Sequence, residues 1–115
     1  MIGYSVMTHL PWPLQEQWLS EIRRILAPGG IFATSVHGLF AANLTPGLFD
    51  ALGRAGILDE TLDPALDGVA PQGYYRAVYQ TPAFTREHWK CGFEVIDYIE
   101  GGLSALHDLV GLRRA

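Results

Sequence analysis

The stretch that decides the fold is Leu26-Ala27-Pro28-Gly29-Gly30-Ile31-Phe32-Ala33-Thr34-Ser35-Val36, residues 26 to 36. Proline cannot continue a helix and glycine accepts positive φ, so the Pro-Gly-Gly turn marks the end of a preceding helix. The apolar, β-branched run that follows predicts a buried strand from 31 to 36. A helix, a tight turn and a buried strand in succession indicate an α/β architecture.

Upstream of the turn, the sequence predicts a strand, a break and a helix. Residues 2 to 7 form a short apolar run that predicts a buried strand. Pro11 and Pro13 follow it and predict a break before the next element. Apolar residues then recur at helical spacing from 14 to 26, which predicts an amphipathic helix with one stripe in the core. The members of this stripe are Leu14, Trp18, Leu19, Ile22, Ile25 and Leu26.

Downstream, the pattern is shorter and more broken. Thr45-Pro46 predicts the start of a helix from 46 to 55, with Leu48, Phe49 and Leu52 inward. Residues 57 to 73 are rich in Asp, Pro and Gly and are typical of a loop, and 74 to 80 suggest a short strand. Thr85 suggests a cap for a helix to about 91. Strands at 93–99 and 106–113, joined by 100–103, predict an antiparallel pair.

Bulk properties limit the classes of function. The chain has 115 residues, which suits a single domain, and a net charge of −4, which offers phosphates no basic face. Nucleic acid is therefore not an expected partner. Cys91 is the only cysteine, there is no apolar run of about 20 residues, and the N-terminal residues do not resemble a signal peptide. These features predict a cytoplasmic protein that does not associate with membranes.

Three segments, in order, resemble one family. Residues 5 to 10, Ser-Val-Met-Thr-His-Leu, resemble the segment after the fourth strand of class I S-adenosylmethionine-dependent methyltransferases. Residues 26 to 36 resemble that family's helix, Pro-Gly-Gly turn and fifth strand. Residues 84 to 89, 93 to 95 and 108 to 110 resemble its last helix and its final antiparallel pair. The resemblance covers nearly the whole chain.

The resemblance implies a partial Rossmann-like methyltransferase sheet, strands four to seven of the family fold, with flanking helices. In the family, one antiparallel strand is inserted near an edge of a parallel sheet, and S-adenosylmethionine lies across the carboxyl ends of strands one, two and four. The family's glycine-rich loop follows strand one, and an acidic residue ends strand two. No Gly-x-Gly-x-Gly occurs in this sequence. The resemblance therefore implies the C-terminal half, which alone is expected to bind no cofactor.

Candidate cofactor contacts follow the first predicted strand. Gly3, Tyr4 and Ser5 match the position where the family's fourth strand ends against the reactive sulfur of the cofactor. The plain alternative is an ordinary strand end. His9 and His37 are candidate catalytic bases, because a neutral imidazole accepts a proton near neutral pH. The alternatives are that His9 caps a helix or bonds to backbone, and that His37 does not line the acceptor site.

Tyrosines beside the long predicted loop are candidate substrate contacts. Tyr74, Tyr75 and Tyr79 could line a pocket for a small-molecule substrate, although strand tyrosines are more often half-buried structural residues. His88 and Cys91 have a spacing found in metal sites, but no second pair accompanies them, so no metal is expected.

The sequence thus leads to a methyltransferase hypothesis with two rivals. In the first, methyl transfer from S-adenosylmethionine to a small molecule requires the half that carries the glycine-rich loop. In the second, the chain is a non-catalytic α/β module that forms oligomers. In the third, it is a truncated reading frame without activity. Because residues 2 to 6 would leave one side of a central strand unpaired, a homo-oligomer through this sheet edge is expected.

Overall fold

The computed structural model describes residues 1–62, 64–71, 75–104 and 106–115. In chain order, the strands and helices are β1 Ile2–Gly3, α1 Trp12–Ile25, β2 Ile31–Val36, α2 Leu39–Ala42, α3 Leu48–Ala55, β3 Ile57–Leu62, β4 Arg76–Gln80, α4 Pro82–His88, β5 Phe93–Ser104 and β6 His107–Arg114. Single 3₁₀ turns lie at Met7–His9 and Pro64–Leu66.

The main sheet has four strands in the order β1-β2-β6-β5. β1 and β2 are parallel, whereas β6 is antiparallel to both β2 and β5. Three strands therefore point one way, and β6 is inserted between two of them in the opposite direction. The predicted mixed α/β class, with four strands in the main sheet and an antiparallel last pair, is confirmed.

A second, two-stranded sheet is formed by β3 and β4, which are antiparallel. An isolated parallel bridge between His37 and Tyr79 joins it to the end of β2, and the Gln80 amide donates to the His37 carbonyl at 2.8 Å. The prediction that residues 57 to 73 form only a loop is wrong at β3. Its Asp and Glu residues lower local strand propensity, but pairing with β4 satisfies its backbone.

The hydrophobic core lies between α1, α4 and the main sheet. Phe32 and Val36 of β2, and Val110 and Leu112 of β6, point into it. Trp89, just after α4, is its largest fully buried side chain. The remaining members of this core are Met7, Leu10, Leu19, Ile22 and Phe93.

A buried polar network crosses this core. The Trp89 indole N–H donates to Gln15 Oε1 at 2.9 Å, and Gln15 Nε2 donates to Gln80 Oε1 at 2.8 Å. Gln80 Nε2 in turn donates to Thr85 Oγ1 at 2.8 Å. All four side chains are buried. Because each amide and hydroxyl has partners, the network joins α1, β4 and α4 without the cost of unsatisfied polar groups.

The first strand is much shorter than predicted. It ends at Gly3, not at residue 7, because the chain turns at Ser5, whose φ is +58°. The Ser5 amide donates to Ser35 Oγ at 2.8 Å, which stabilises the turn. The residues after it form the 3₁₀ turn Met7–His9 rather than strand.

Helix α1 begins two residues before the predicted start, and its buried face is rotated. Trp18 and Ile25, predicted as core, are 44% and 53% exposed, whereas Gln15 is fully buried. The stripe was predicted from apolar residues alone, and that pattern does not predict burial of the polar Gln15. Gln15 is buried because its side-chain amide forms hydrogen bonds with Trp89 and Gln80.

Several boundaries and caps also differ from prediction. Helix α3 is capped by Gly47, with φ +80°, rather than by Thr45, and Phe49 is 43% exposed. Thr81, not Thr85, caps α4 by accepting from the Phe84 amide at 3.0 Å. β5 continues through 100–103, which was predicted to be the hairpin connection. Helix α2 was not predicted.

Every helix in the described ranges is too short or too polar to cross a lipid bilayer.

Candidate functional site

The carboxyl ends of β1 and β2 form one edge of the main sheet. Thr34 Oγ1 donates to the Gly3 carbonyl at 2.6 Å, which ties β1 to β2 at this end. Tyr4 follows, and its side chain is 56% exposed. Ser5 then adopts a left-handed conformation that is uncommon for a residue with a side chain. The chain therefore leaves the sheet abruptly at the predicted cofactor-contact segment.

Six rings meet beside these strand ends, and we call them the His/Tyr cluster. His9 stacks on Tyr75 with ring centroids 4.1 Å apart, and its centroid is 6.3 Å from that of His37. His37 also lies 5.0 Å from His107. The members are Tyr4, His9, His37, Tyr75, Tyr79 and His107.

Two tyrosines complete the cluster on its outer sides. Tyr4 stacks on His107 with centroids 4.8 Å apart, and Tyr79 lies 5.3 Å from His37. The rings come from the ends of β1 and β2, from the 3₁₀ turn Met7–His9, from β4 and the residue before it, and from the start of β6. The cluster therefore joins the main sheet to the two-stranded sheet.

His9 has a defined proton position. Its Nδ1 lies 2.8 Å from the Arg76 carbonyl oxygen. A carbonyl accepts hydrogen bonds but does not donate them, so Nδ1 carries a hydrogen. In the neutral imidazole, Nε2 then has a free lone pair, which is the form that a general base requires.

His37 is held in its neutral form. Burial and the neighbouring His107 and His9 lower the pKa of His37 to about 4, because each of these effects disfavours the imidazolium. A hydrogen bond to the Val78 backbone and the charge of Asp108 oppose the shift. Nδ1 of His37 is buried and has no hydrogen-bond partner among the residues that the structure describes.

His107 is a second imidazole whose surroundings favour the neutral form. Desolvation lowers its pKa, His9 adds to this effect and Asp108 opposes it. Its Nδ1 is also buried and unpartnered within the described part of the chain. The lowered pKa values of His37 and His107 disfavour proton uptake by these two rings.

Asp108 is a buried carboxylate beside the cluster. Its Oδ2 accepts from the Tyr98 hydroxyl at 2.6 Å and its Oδ1 from the Gly101 amide at 2.9 Å. Burial and these contacts raise the pKa of Tyr98, so its hydroxyl stays protonated. A Cβ on Gly38 would lie 1.9 Å from Oδ2, so the carboxylate packs directly on the backbone that follows His37.

The structure brings most of the predicted site residues together. Tyr4, His9, His37 and Tyr75 belong to the His/Tyr cluster, and Gly3 and Ser5 flank Tyr4 at the same strand end. Tyr74 lies outside the described residues.

Sequence reasoning missed His107 and Asp108, although a signal was present for both. Because β6 is antiparallel to β2, its first residues must lie at the carboxyl end of β2, where Val36 is in register with Asp108. Tyr79, which the sequence had offered as a substrate contact, is brought beside His37 by the isolated bridge between the two residues.

Metal binding has no support in this geometry. Over the described ranges, no three His, Cys, Asp or Glu side chains form a group that could hold a metal ion. The Cys91 thiol, at the surface, lies 3.5 Å from the carbonyl oxygen of His88.

An apolar groove lies away from the cluster, between β1 and α1. It has a volume of about 490 Å³, and β1 forms an edge of the sheet there. Ile2, in this edge strand, is 82% exposed. The residues that line the groove are Met1, Ile2, Gly3, Val6, Met7, Gln17, Trp18, Glu21, Ile22, Ile25 and Phe32.

Comparison with known proteins identified no relative: no family model matches the chain, and no curated protein matches it.

Proposed function

We propose that this chain is the acceptor-binding part of an S-adenosylmethionine-dependent methyltransferase, which transfers a methyl group to a small molecule and is inactive without the strands that carry a glycine-rich loop. The proposal rests on the strand order. A sheet with three strands in one direction and an antiparallel last strand between the second and the third is the arrangement that the sequence resemblance implies.

The position of the His/Tyr cluster supports the same proposal. Ligands of open α/β sheets bind outside the carboxyl ends of the parallel strands. The cluster lies at the carboxyl ends of β1 and β2, whereas the Pro28-Gly29-Gly30 turn lies at the opposite end of β2. The histidines and tyrosines of the cluster therefore lie on the side of the sheet where, in the proposed enzyme, the cofactor and acceptor would meet.

The chain's own residues fit only one end of the cofactor. S-adenosylmethionine supplies an electrophilic methyl group on a sulfonium. The π face of Tyr4, which is largely exposed, suits a neighbouring cation. The sequence contains no glycine-rich loop and the described fold has no strand beyond β1, so nothing in these residues holds the adenosine. The open edge of β1 is where the missing strands would pair.

His9 is the proposed base. Its Nδ1–H is fixed on the Arg76 carbonyl, which orients Nε2 for proton transfer from an acceptor hydroxyl. Stacking on Tyr75 restrains the imidazole plane. His37 remains neutral beside it, so it neither repels a proton on His9 strongly nor competes for one near pH 7.

The first experiment titrates S-adenosylmethionine into the 115-residue chain by calorimetry. We expect no appreciable binding, because the sequence has neither the glycine-rich loop that would hold the adenosine nor the acidic residue that would bind the ribose. Micromolar affinity of the chain for S-adenosylmethionine would contradict the proposal that the glycine-rich half is needed to bind the cofactor.

The second experiment supplies the absent half. A glycine-rich, three-strand half from a methyltransferase of known activity is joined before Met1, and methyl transfer to a panel of small alcohols is measured. We expect His9→Gln to lower turnover about 100-fold, a usual loss for a general base. His88→Gln is the matched control, since His88 Nδ1 also meets a backbone oxygen, that of Phe84, but lies outside the cluster. A chimera that binds cofactor yet transfers no methyl group would overturn the proposal.

A second candidate function is a non-catalytic module that pairs with another copy of itself. The groove beside β1 favours it, because an edge strand with unpaired backbone groups and exposed apolar neighbours promotes association. A twofold axis through β1 would cover both copies at once. Sedimentation equilibrium at micromolar concentration is expected to show a dimer that Ile2→Lys disrupts. A monomer would contradict this candidate.

A further inference from the structure

The charge of the His/Tyr cluster limits what it can accept. The charged or ionisable groups that act on His37 are His107, His9 and Asp108. His107 is in turn influenced by His9 and Asp108. Because burial lowers the pKa values of His37 and His107, these two rings offer an anion no positive charge, and the buried Asp108 carboxylate lies beside them. In a partly desolvated site, a carboxylate repels a second negative charge.

The shape of the cluster also limits its ligands. Two of its ring pairs are stacked, Tyr4 on His107 and His9 on Tyr75, with interplanar angles of 27° and 18°. Within each pair the two rings cover one face of each other, which fixes their planes. Tyr4, which is 56% exposed, can then pack its outer face against a flat or ring-shaped partner with little loss of side-chain entropy. The free Nε2 of His9 lies at one of these stacks and accepts a hydrogen bond from a donor such as a hydroxyl.

We propose that the His/Tyr cluster binds an uncharged, hydroxyl-bearing ring compound and discriminates against the same ring when it carries a carboxylate or phosphate. This inference deepens the proposed function and rests on it for the identity of the site as an acceptor site. Two sources share this chemistry, a phenolic ring and a sugar ring. Both present a flat face with apolar C–H or π surface and a hydroxyl for His9 Nε2.

The test is a titration of the full chain at pH 8, followed by the aromatic resonances of its histidines and tyrosines. At this pH an ordinary imidazole, with pKa about 6.5, is neutral. Phenol and methyl β-D-glucopyranoside are the uncharged probes, and 4-hydroxybenzoate and glucose 1-phosphate are their anionic counterparts, which keep a hydroxyl group. We expect at least one uncharged probe to give saturable shifts at His9 and Tyr75. Its anionic counterpart should bind about tenfold more weakly.

Two manipulations separate charge from shape. Higher ionic strength should improve binding of the anions and leave the uncharged probes unchanged, since salt screens charge–charge repulsion and has little effect on uncharged ligands. Asp108→Asn should move the ratio of affinities toward one. The salt series needs no variant, so it decides the question even if Asp108→Asn does not fold. Tyr75→Ala should weaken all probes, whereas Trp18→Ala, at the distant groove, should not.

The outcomes distinguish this inference from the proposed function. Anions that bind as well as the uncharged rings, or no cluster shifts with any probe, would overturn the ligand class. Methyl transfer by the chimera to an anionic acceptor alone would also overturn it while supporting methyltransferase activity. Selective binding of uncharged rings by the chain, without any methyl transfer by a cofactor-binding chimera, would support the ligand class and contradict the function.

Discussion

The two ends of β2 differ in how their polar groups are satisfied. At the amino end, the backbone is closed by regular hydrogen bonds: Gly30 N–H donates to the Ala27 carbonyl at 2.8 Å, and Arg114 N–H to the Gly30 carbonyl at 2.9 Å. At the carboxyl end, a buried carboxylate packs on Gly38, and His37 Nδ1 finds no partner within the described residues. One strand thus ends in a purely structural turn on one side and in chemically active groups on the other.

This difference teaches where substitutions should affect stability and where they should affect chemistry. Changes at the amino end alter only the packing of a turn. Changes at the carboxyl end alter packing and the ionisation of His37 together, because Asp108 contacts the backbone beside it and also acts on its pKa. Substitutions at the two ends are the direct way to test this contrast.

The largest expected effect is that of Gly38→Ala. The added methyl group would lie 1.9 Å from Asp108 Oδ2 and 3.1 Å from the Tyr98 hydroxyl oxygen, so the carboxylate must move and lose its contacts. We expect a loss of about 2–4 kcal/mol in the free energy of unfolding, measured by urea denaturation.

The matched control for Gly38→Ala is Gly53→Ala in α3, where an added Cβ meets nothing within 4 Å. It should leave stability unchanged or raise it slightly, because alanine favours helix. Equal stability of both variants would show that Asp108 is not packed on Gly38 as described.

A smaller effect is expected at the other end of β2. In Gly30→Val, the Cβ would lie 2.8 Å from the Ala27 carbonyl oxygen, a backbone atom that has little freedom to move. The expected cost is about 1–3 kcal/mol in unfolding free energy. The nuclear magnetic resonance titration of His37 should remain unchanged, since the turn lies at the far end of the strand. A displaced His37 titration would contradict the separation of the two ends.

The smallest effect is the pH dependence of stability from His37. Its pKa is about 4 in the folded protein and about 6.5 in an unfolded chain. Between these values the unfolded state binds more protons, so the free energy of unfolding falls as pH drops from about 6.5 to 4. Urea midpoints measured across this range should show the slope, and His37→Gln should reduce it. A slope unchanged in that variant would assign the acid sensitivity to other groups.

The sequence predicted the parts of the fold that depend on local pattern. Strand β2 lies where its apolar run placed it, from Ile31 to Val36, because a turn with proline and two glycines fixes where it begins. The last antiparallel pair was also recovered, although β5 extends to Ser104. Its extension depends on the Asp108 side chain, which accepts from the Gly101 amide and so supports the irregular pairing there.

What the sequence could not show depends on contacts between distant residues. The end of β1 is set by the bond between the Ser5 amide and Ser35 Oγ, 30 residues away. His37 and His9 were predicted as site residues from strand ends, but His107 enters through the reversed direction of β6. The burial of Gln15 was missed because its partners, Gln80 and Trp89, lie far along the chain.

The buried amide of Gln15 has a further consequence for how the chain folds. Its partners are 65 and 74 residues later, so neither hydrogen bond can form until most of the chain has collapsed in register. Contacts of such separation slow folding, because loop closure must precede the stabilising interaction. In a partly folded chain that buries α1 before β4 and α4 arrive, Gln15 Nε2 can still donate to the Leu10 carbonyl, but Oε1 lacks the Trp89 indole N–H, so this state is less stable than one with the network complete. We therefore expect the network to disfavour early packing of α1 onto an incomplete sheet.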